Sequence, residues 1–185
     1  MMMTMMQWLK PGARAMARLL LAACATSALA GPVADRVQSQ SVLRVCVWPD
    51  YYGVTFRHPR TQQLGGIDID LSGELARDLK ARVEYVDSSF PTLIDDLNQD
   101  RCDVAMFAIG MLPQRMEKLA FTQPYMRSDI YGITTKTNTV IKQWADIDKP
   151  GVLVGVQAGT FMEPIMAQRL KQATLVRIQL PATRE

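Results

Sequence analysis

Few residues in this 185-residue chain are of types that do chemistry. His58 is the only histidine, within the polar run Arg57-His58-Pro59-Arg60. A histidine-bearing zinc site, a Ser-His-Asp triad or a Cys-His pair would each have to use it, and that run reads as a solvated loop. Asp68 and Asp70 stand two apart, a spacing that suits helix capping and solvation better than acid–base work. Arg115 follows Pro113 on what reads as a short helix. Its guanidinium could grip a carboxylate through two parallel hydrogen bonds, but a surface arginine paired with Glu117 fits the same spacing. Gly110 ends a predicted strand, and Gly159-Thr160 joins a predicted strand to a predicted helix. Backbone N–H groups at such a helix start favour an anion. Trp48, Tyr51, Tyr52 and Phe90 offer ring faces for apolar or cationic groups, or serve as core and loop cover.

The elements that must position these residues alternate. Residues 42–48 form an apolar, β-branched run that predicts a buried strand. Turn-rich residues 49–66 follow, then a helix from Asp70 as N-cap, with Leu71, Leu75 and Leu79 along one side. A strand is predicted over 81–86, and a helix begins near Pro91 with Leu93, Ile94 and Leu97 on one face. Residues 103–109 are nearly all apolar and predict a central strand. A short helix over 113–118 and a strand over 130–135 come next. Then a strand over 152–156, a helix from Gly159-Thr160 to Leu170 and a strand over 175–180 complete the pattern. Such alternation predicts an α/β fold with largely parallel sheets.

Residues 1–30 read as a secretory signal peptide: a basic stretch ending at Arg18, an apolar run and an Ala28-Leu29-Ala30 cleavage site. The run is shorter than the roughly 20 residues that span a bilayer. Leu21-Ala22-Ala23-Cys24 offers an alternative, a lipoprotein box anchored through Cys24. The leader carries Lys10, Arg14 and Arg18 and no acidic residue, so it holds the whole formal charge of +3. A neutral mature chain gives no basis for a nucleic-acid partner. Residues 31–41 read as a flexible segment. Export leaves Cys46 and Cys102 where disulfides persist.

Six stretches, in order, resemble the bacterial extracellular solute-binding proteins of family 3, the amino-acid receptors of ABC importers. Leu43-Arg44-Val45-Cys46-Val47 is similar to the family's first strand, and Gly66-Ile67-Asp68-Ile69-Asp70-Leu71 to its signature. Ser89-Phe90-Pro91-Thr92-Leu93-Ile94 resembles the aromatic helix start. Cys102-Asp103-Val104 through Gly110 to Pro113-Gln114-Arg115 resembles the strand, turn and arginine, and Phe121-Thr122-Gln123-Pro124-Tyr125 the motif after it. Gly155-Val156-Gln157-Ala158-Gly159-Thr160 is similar to the opening of the second lobe.

The resemblance implies an α/β, type II periplasmic binding protein fold of two lobes, with residues 42–135 as lobe one, nearly complete, and 136–185 as a partial lobe two, so that the chain is expected to be C-terminally truncated. It implies that Arg115 clamps a ligand carboxylate, aided by backbone N–H groups at Ala108, Gly110 and Thr160. An aromatic after the first strand (Trp48 or Tyr51) and Phe90 would sandwich the ligand's side chain. It sets Cys46 and Cys102 on adjacent strands, where a disulfide is an open alternative. Phe161 departs from the family, which often has threonine there; Ala108 and Gly110 stand where many members carry serine. The expected function is periplasmic capture of an amino-acid-like carboxylate for an ABC permease by a monomer, with no catalytic residue, metal or cofactor. The same fold also hosts dehydratases, cell-wall lytic enzymes and receptor-kinase sensors, which remain alternatives.

Overall fold

The computed structural model describes residues 31–182. The leader and lipid-anchor readings, Cys24 included, lie outside the described residues. Among the described residues, nine elements precede residue 106: helix α1 (Pro32–Gln40), strands β1 (Val42–Val47), β2 (Asp50–Tyr51), β3 (Thr55–Arg57) and β4 (Leu64–Gly65), helix α2 (Ile67–Asp78), strand β5 (Arg82–Asp87), helix α3 (Leu93–Asn98) and strand β6 (Val104–Ala105). Helix α4 (Pro113–Met116), strand β7 (Leu153–Gln157), helix α5 (Met162–Arg169) and strand β8 (Thr174–Ile178) follow. No helix among the described residues is long and apolar enough to cross a membrane.

Strand β1 is the centre of the N-terminal part, with β5 and β6 parallel to it on either side. Alternate side chains point to opposite faces of a strand, and here both faces are covered. Leu43, Val45 and Val47 pack with Val37 and Ala76. Cys46 and Trp48 pack on the other side with Phe90, Leu93, Cys102 and Phe107. Burial on both faces explains why the run is apolar without alternation. Strands β7 and β8 form a second parallel sheet, crossed over by α5.

Several expectations need correction. Residues 31–41 were expected to be flexible; Pro32 at the first helical turn and buried Val37 make them a helix. Arg36 and Arg44 on either side of the α1–β1 junction both pair with Asp103, tying α1 down. Residues 49–66 are more than turns, because β2, β3 and β4 form an antiparallel sheet. Helix α2 has Gly66 as its N-cap instead of Asp70. Its buried stripe is Asp68, Ser72 and Ala76, and Leu71 is exposed. The predicted central strand over 103–109 shrinks to β6 at the sheet's edge, because Ala108 adopts a left-handed φ of 50° that no ladder accommodates. Residues 130–135 are not a strand: they pair with no described strand, and Ile133 is 97% exposed.

Cys46 and Cys102 are bonded, their Cα atoms 5.6 Å apart. The bond links residues separated by 56 positions, a loop whose closure stabilises a fold by up to about 4 kcal/mol. Replacing both cysteines by alanine is expected to lower stability by about 2–4 kcal/mol, read as a lower urea midpoint with a steeper slope, because the unfolded chain loses its cross-link.

Asp103 gives a second prediction. Burial pushes its carboxyl up, but hydrogen bonds from the Arg44 side chain and N–H and from Arg36 outweigh that and hold it below the ordinary value. A carboxyl depressed on folding contributes stability that is present above its unfolded pKa of about 4 and lost as pH falls through the folded value. Asp103→Asn is therefore expected to destabilise the chain near neutrality and to converge with the wild type in acid, in urea titrations from neutral pH down to about pH 2.

Candidate functional site

Arg115 lies on α4, whose first turn Pro113 favours by its fixed φ. The residue is 4% exposed. Its Nη1 donates to the Gly110 carbonyl at 2.8 Å and its Nη2 to the Gly159 carbonyl at 2.7 Å. One guanidinium thus bridges the turn after β6 and the turn after β7. Its carbon lies 5.4 Å from the centre of the Phe90 ring, within cation–π range. Burial pushes its pKa down, though a guanidinium remains charged. Two of its five donors are used on carbonyls, and no carboxylate pairs with it among the described residues. The alternative of a surface arginine paired with Glu117 does not hold, since Arg115 is buried on the two carbonyls.

The two turns meet closely. Gly159 has φ 75° and lies so near Phe90 and Pro91 that a Cβ would sit 3.0 Å from the Pro91 nitrogen. A Cβ on Gly110 would sit 2.7 Å from the Phe161 ring. Phe161 therefore covers the Gly110 turn. Thr160 is 2% exposed and its hydroxyl donates to the Gln157 carbonyl at 2.7 Å.

An open cavity of about 500 Å³ is lined by Phe90, Arg115, Gly159, Thr160, Glu163 and Arg177, among others. Glu163 accepts from the Gly159 N–H at 2.7 Å and from Arg177 Nε at 2.6 Å. The Gly159 N–H bond and then the Arg177 bond hold its carboxyl below the usual range. Glu163 and Arg177 were not anticipated; an acid three residues after Thr160 in the first turn of a predicted helix was the available signal.

Of the predicted site residues, Arg115, Phe90 and Thr160 come together at this cavity, and Gly110 adjoins it under Phe161. Phe90 is only 9% exposed and packs edge-on against Trp48 and Phe107. Trp48 is 2% exposed within the core, and Tyr51 packs against it and Phe90. Neither lines the cavity. The Ala108 N–H is committed to Asp68 at 2.6 Å, and Asp68, expected to be solvated, is fully buried. His58 accepts from the Arg60 and Thr61 N–H groups in a loop, as expected. Among the described residues no group of three or more His, Cys, Asp and Glu could hold a metal.

A buried arginine thus sits at the junction of two strand–turn–helix units. The sequence model of the bacterial extracellular solute-binding proteins, family 3, matches residues 43–179. The chain belongs to this family. Its fold is that of the type II periplasmic binding proteins. The chain is 32% identical over 166 residues to cyclohexadienyl dehydratase of Pseudomonas aeruginosa, covering 88% of this chain and 61% of that protein. It is 27% identical to a probable histidine-binding protein of Campylobacter jejuni, over 78% of this chain and 55% of that one. Among solved structures, the ancestral amino acid-binding protein AncCDT-1, described as a precursor of cyclohexadienyl dehydratase, superposes with a TM-score of 0.71 at 30% identity, over 78% of this chain and 64% of that chain. Truncated arginine-bound ArgBP from T. maritima gives a TM-score of 0.62 at 26% identity, over 78% of this chain and 66% of that chain. The chain spans about half to three fifths of the length of the curated relatives it matches.

Gly110→Ala is expected to destabilise the chain by about 1–3 kcal/mol, because Phe161 must move aside. Phe161→Ala in the same background should recover part of that loss. A double-mutant cycle in urea that gives strict additivity would show that the two residues do not touch.

Proposed function

We propose that the chain is the solute-binding part of an amino-acid importer, exported to the periplasm, capturing a small carboxylate-bearing ligand for an ABC permease without chemical change. Arg115 is the observation that carries this reading. A buried cation met, among the described residues, by carbonyl dipoles and a ring face, beside an open cavity, favours an anion that completes its charge. In this proposal Arg115 takes the ligand's carboxylate, Thr160 lines the cavity beside it with its N–H and hydroxyl both donated to the Gln157 carbonyl, Gly110 lets Phe161 lie over the turn, and Phe90 bounds the cavity. Trp48 and Tyr51 support Phe90 from behind. Residues 42–135 act as one lobe and 136–185 as part of the second.

Support comes from the relatives, most of which are named as amino-acid-binding proteins, some of them of ABC transporters. A second reading, an enzyme, is favoured by one observation, the match to a dehydratase. A general acid must hold a proton near its working pH. Glu163 is the only carboxylate lining the cavity among the described residues, and its neighbours stabilise the ionised form. That makes it a poor proton donor and favours capture over chemistry.

Isothermal calorimetry against the proteinogenic amino acids tests the proposal. At least one should bind, and Arg115→Ala should weaken it by a hundredfold or more, about 3 kcal/mol. Arg115→Lys should recover little, since an ammonium cannot bond bidentately. Unaltered affinity in Arg115→Ala would remove this residue from the site, and turnover of a cyclohexadienyl substrate would favour the enzyme.

A further inference from the structure

Asp68 is fully buried, yet among the described residues no cation pairs with its carboxylate. Its Oδ2 accepts from the Ala108 N–H at 2.6 Å, and the Tyr125 hydroxyl donates to both oxygens, at 2.7 and 2.8 Å. An ionised group kept from water on neutral donors alone is costly. Helix capping does not explain it, because the side chain bonds to residues 40 and 57 positions away.

The local chain is built to bring Asp68 there. Gly66 has φ 128°, and a Cβ on it would sit 2.4 Å from the Val54 carbonyl oxygen. Only glycine allows that approach, which lets the Asp68 N–H donate to the same carbonyl at 3.1 Å. At the far end, Ala108 holds a left-handed φ of 50°, which is unfavourable for any residue with a Cβ. Two residues on, the Gly110 carbonyl accepts from Arg115 Nη1 and from the Leu112 N–H.

We propose that Asp68 is a positioning residue for ligand capture: by holding the Ala108 N–H it keeps Ala108 in its left-handed form and so sets the Gly110 carbonyl against the Arg115 guanidinium, which lines the cavity. Asp68 itself touches no ligand, since it lines no part of the cavity. Tyr125 secures the carboxylate from the segment that leaves α4. Burial, then the bond to Asp68, raises the Tyr125 hydroxyl's pKa well above its ordinary value. The signature turn Gly66-Ile67-Asp68 thereby acquires a role at the site without contacting it.

This inference rests on the binding role proposed above for its affinity readout, and a ligand-free readout accompanies it. The full chain is compared as wild type, Asp68→Leu, Asp68→Asn and Asp68→Leu/Ala108→Gly. Leucine removes the acceptor while keeping the branched shape, asparagine keeps an oxygen for the Ala108 N–H, and glycine adopts the left-handed form without a tether. Amide hydrogen exchange at Leu112 and Arg115 is followed by NMR without ligand, and L-arginine binding by calorimetry. Asp68→Leu should speed exchange at both amides roughly tenfold or more and weaken L-arginine binding at least as much. Asp68→Asn should stay within about threefold of wild type, and the glycine double variant should regain most of what leucine lost. Equal losses in Asp68→Asn and Asp68→Leu, or no recovery with glycine, would overturn the proposal. If Asp68→Leu does not fold, recovery of folding in the double variant supports it, and failure to recover overturns it. If the wild type binds no L-arginine, the exchange rates alone decide, apart from the binding role.

Discussion

Taking a guanidinium out of water costs on the order of several kcal/mol, and Arg115 meets that cost with dipoles rather than with an acid. Two backbone carbonyls and the face of Phe90 surround it. Each partner belongs to a different stretch of chain: Gly110 follows β6, Gly159 follows β7, and Phe90 precedes α3. Satisfying one cation therefore brings three turns to one place. Those turns carry the glycines that admit close contact, the cavity opens beside them, and Glu163 and Arg177 balance its other wall. A carboxylate partner from the protein would have neutralised the site; carbonyls leave its net charge intact.

How much of this could be read from the sequence depends on the range of the force involved. Burial on two faces leaves a plain trace, and β1 and β7 lie where apolar β-branched runs predict them. Helix α1 left almost none, because a single buried valine and a proline start do not make a periodic pattern. Residues 130–135 misled in the opposite direction: strand propensity needs a neighbour to become a strand, and no described strand lies beside them. In α2 the leucine stripe is the wrong one, since Asp68, Ser72 and Ala76 face inward and Leu71 faces out. A polar residue buried by a partner 40 positions away has no local signal.

The candidate site divides along the same line. Arg115, Gly159 and Thr160 were legible through their motifs, and their convergence is in the structure. The aromatic residues were legible as aromatic but not as core. Trp48 and Tyr51 read equally well as ligand faces until the packing around Phe90 and Phe107 is seen. Ala108 was chosen for its backbone N–H, which proves to be taken by a side chain that capping logic had assigned to solvent. Glu163 and Arg177 meet through tertiary pairing alone.

The link between Cys46 and Cys102 has a consequence for when the molecule becomes rigid. It fastens the central strand to the start of the edge strand across more than fifty residues, in the part of the sheet that supports both cores. While those thiols stay reduced, the two strands are held by packing and ladder bonds alone, and the unfolded chain keeps all its freedom. An oxidising compartment removes that freedom at a stroke. The same sequence is thus a looser object on the reducing side of a membrane than on the oxidising side, and chemical surroundings, rather than any change in the chain, decide which one it is.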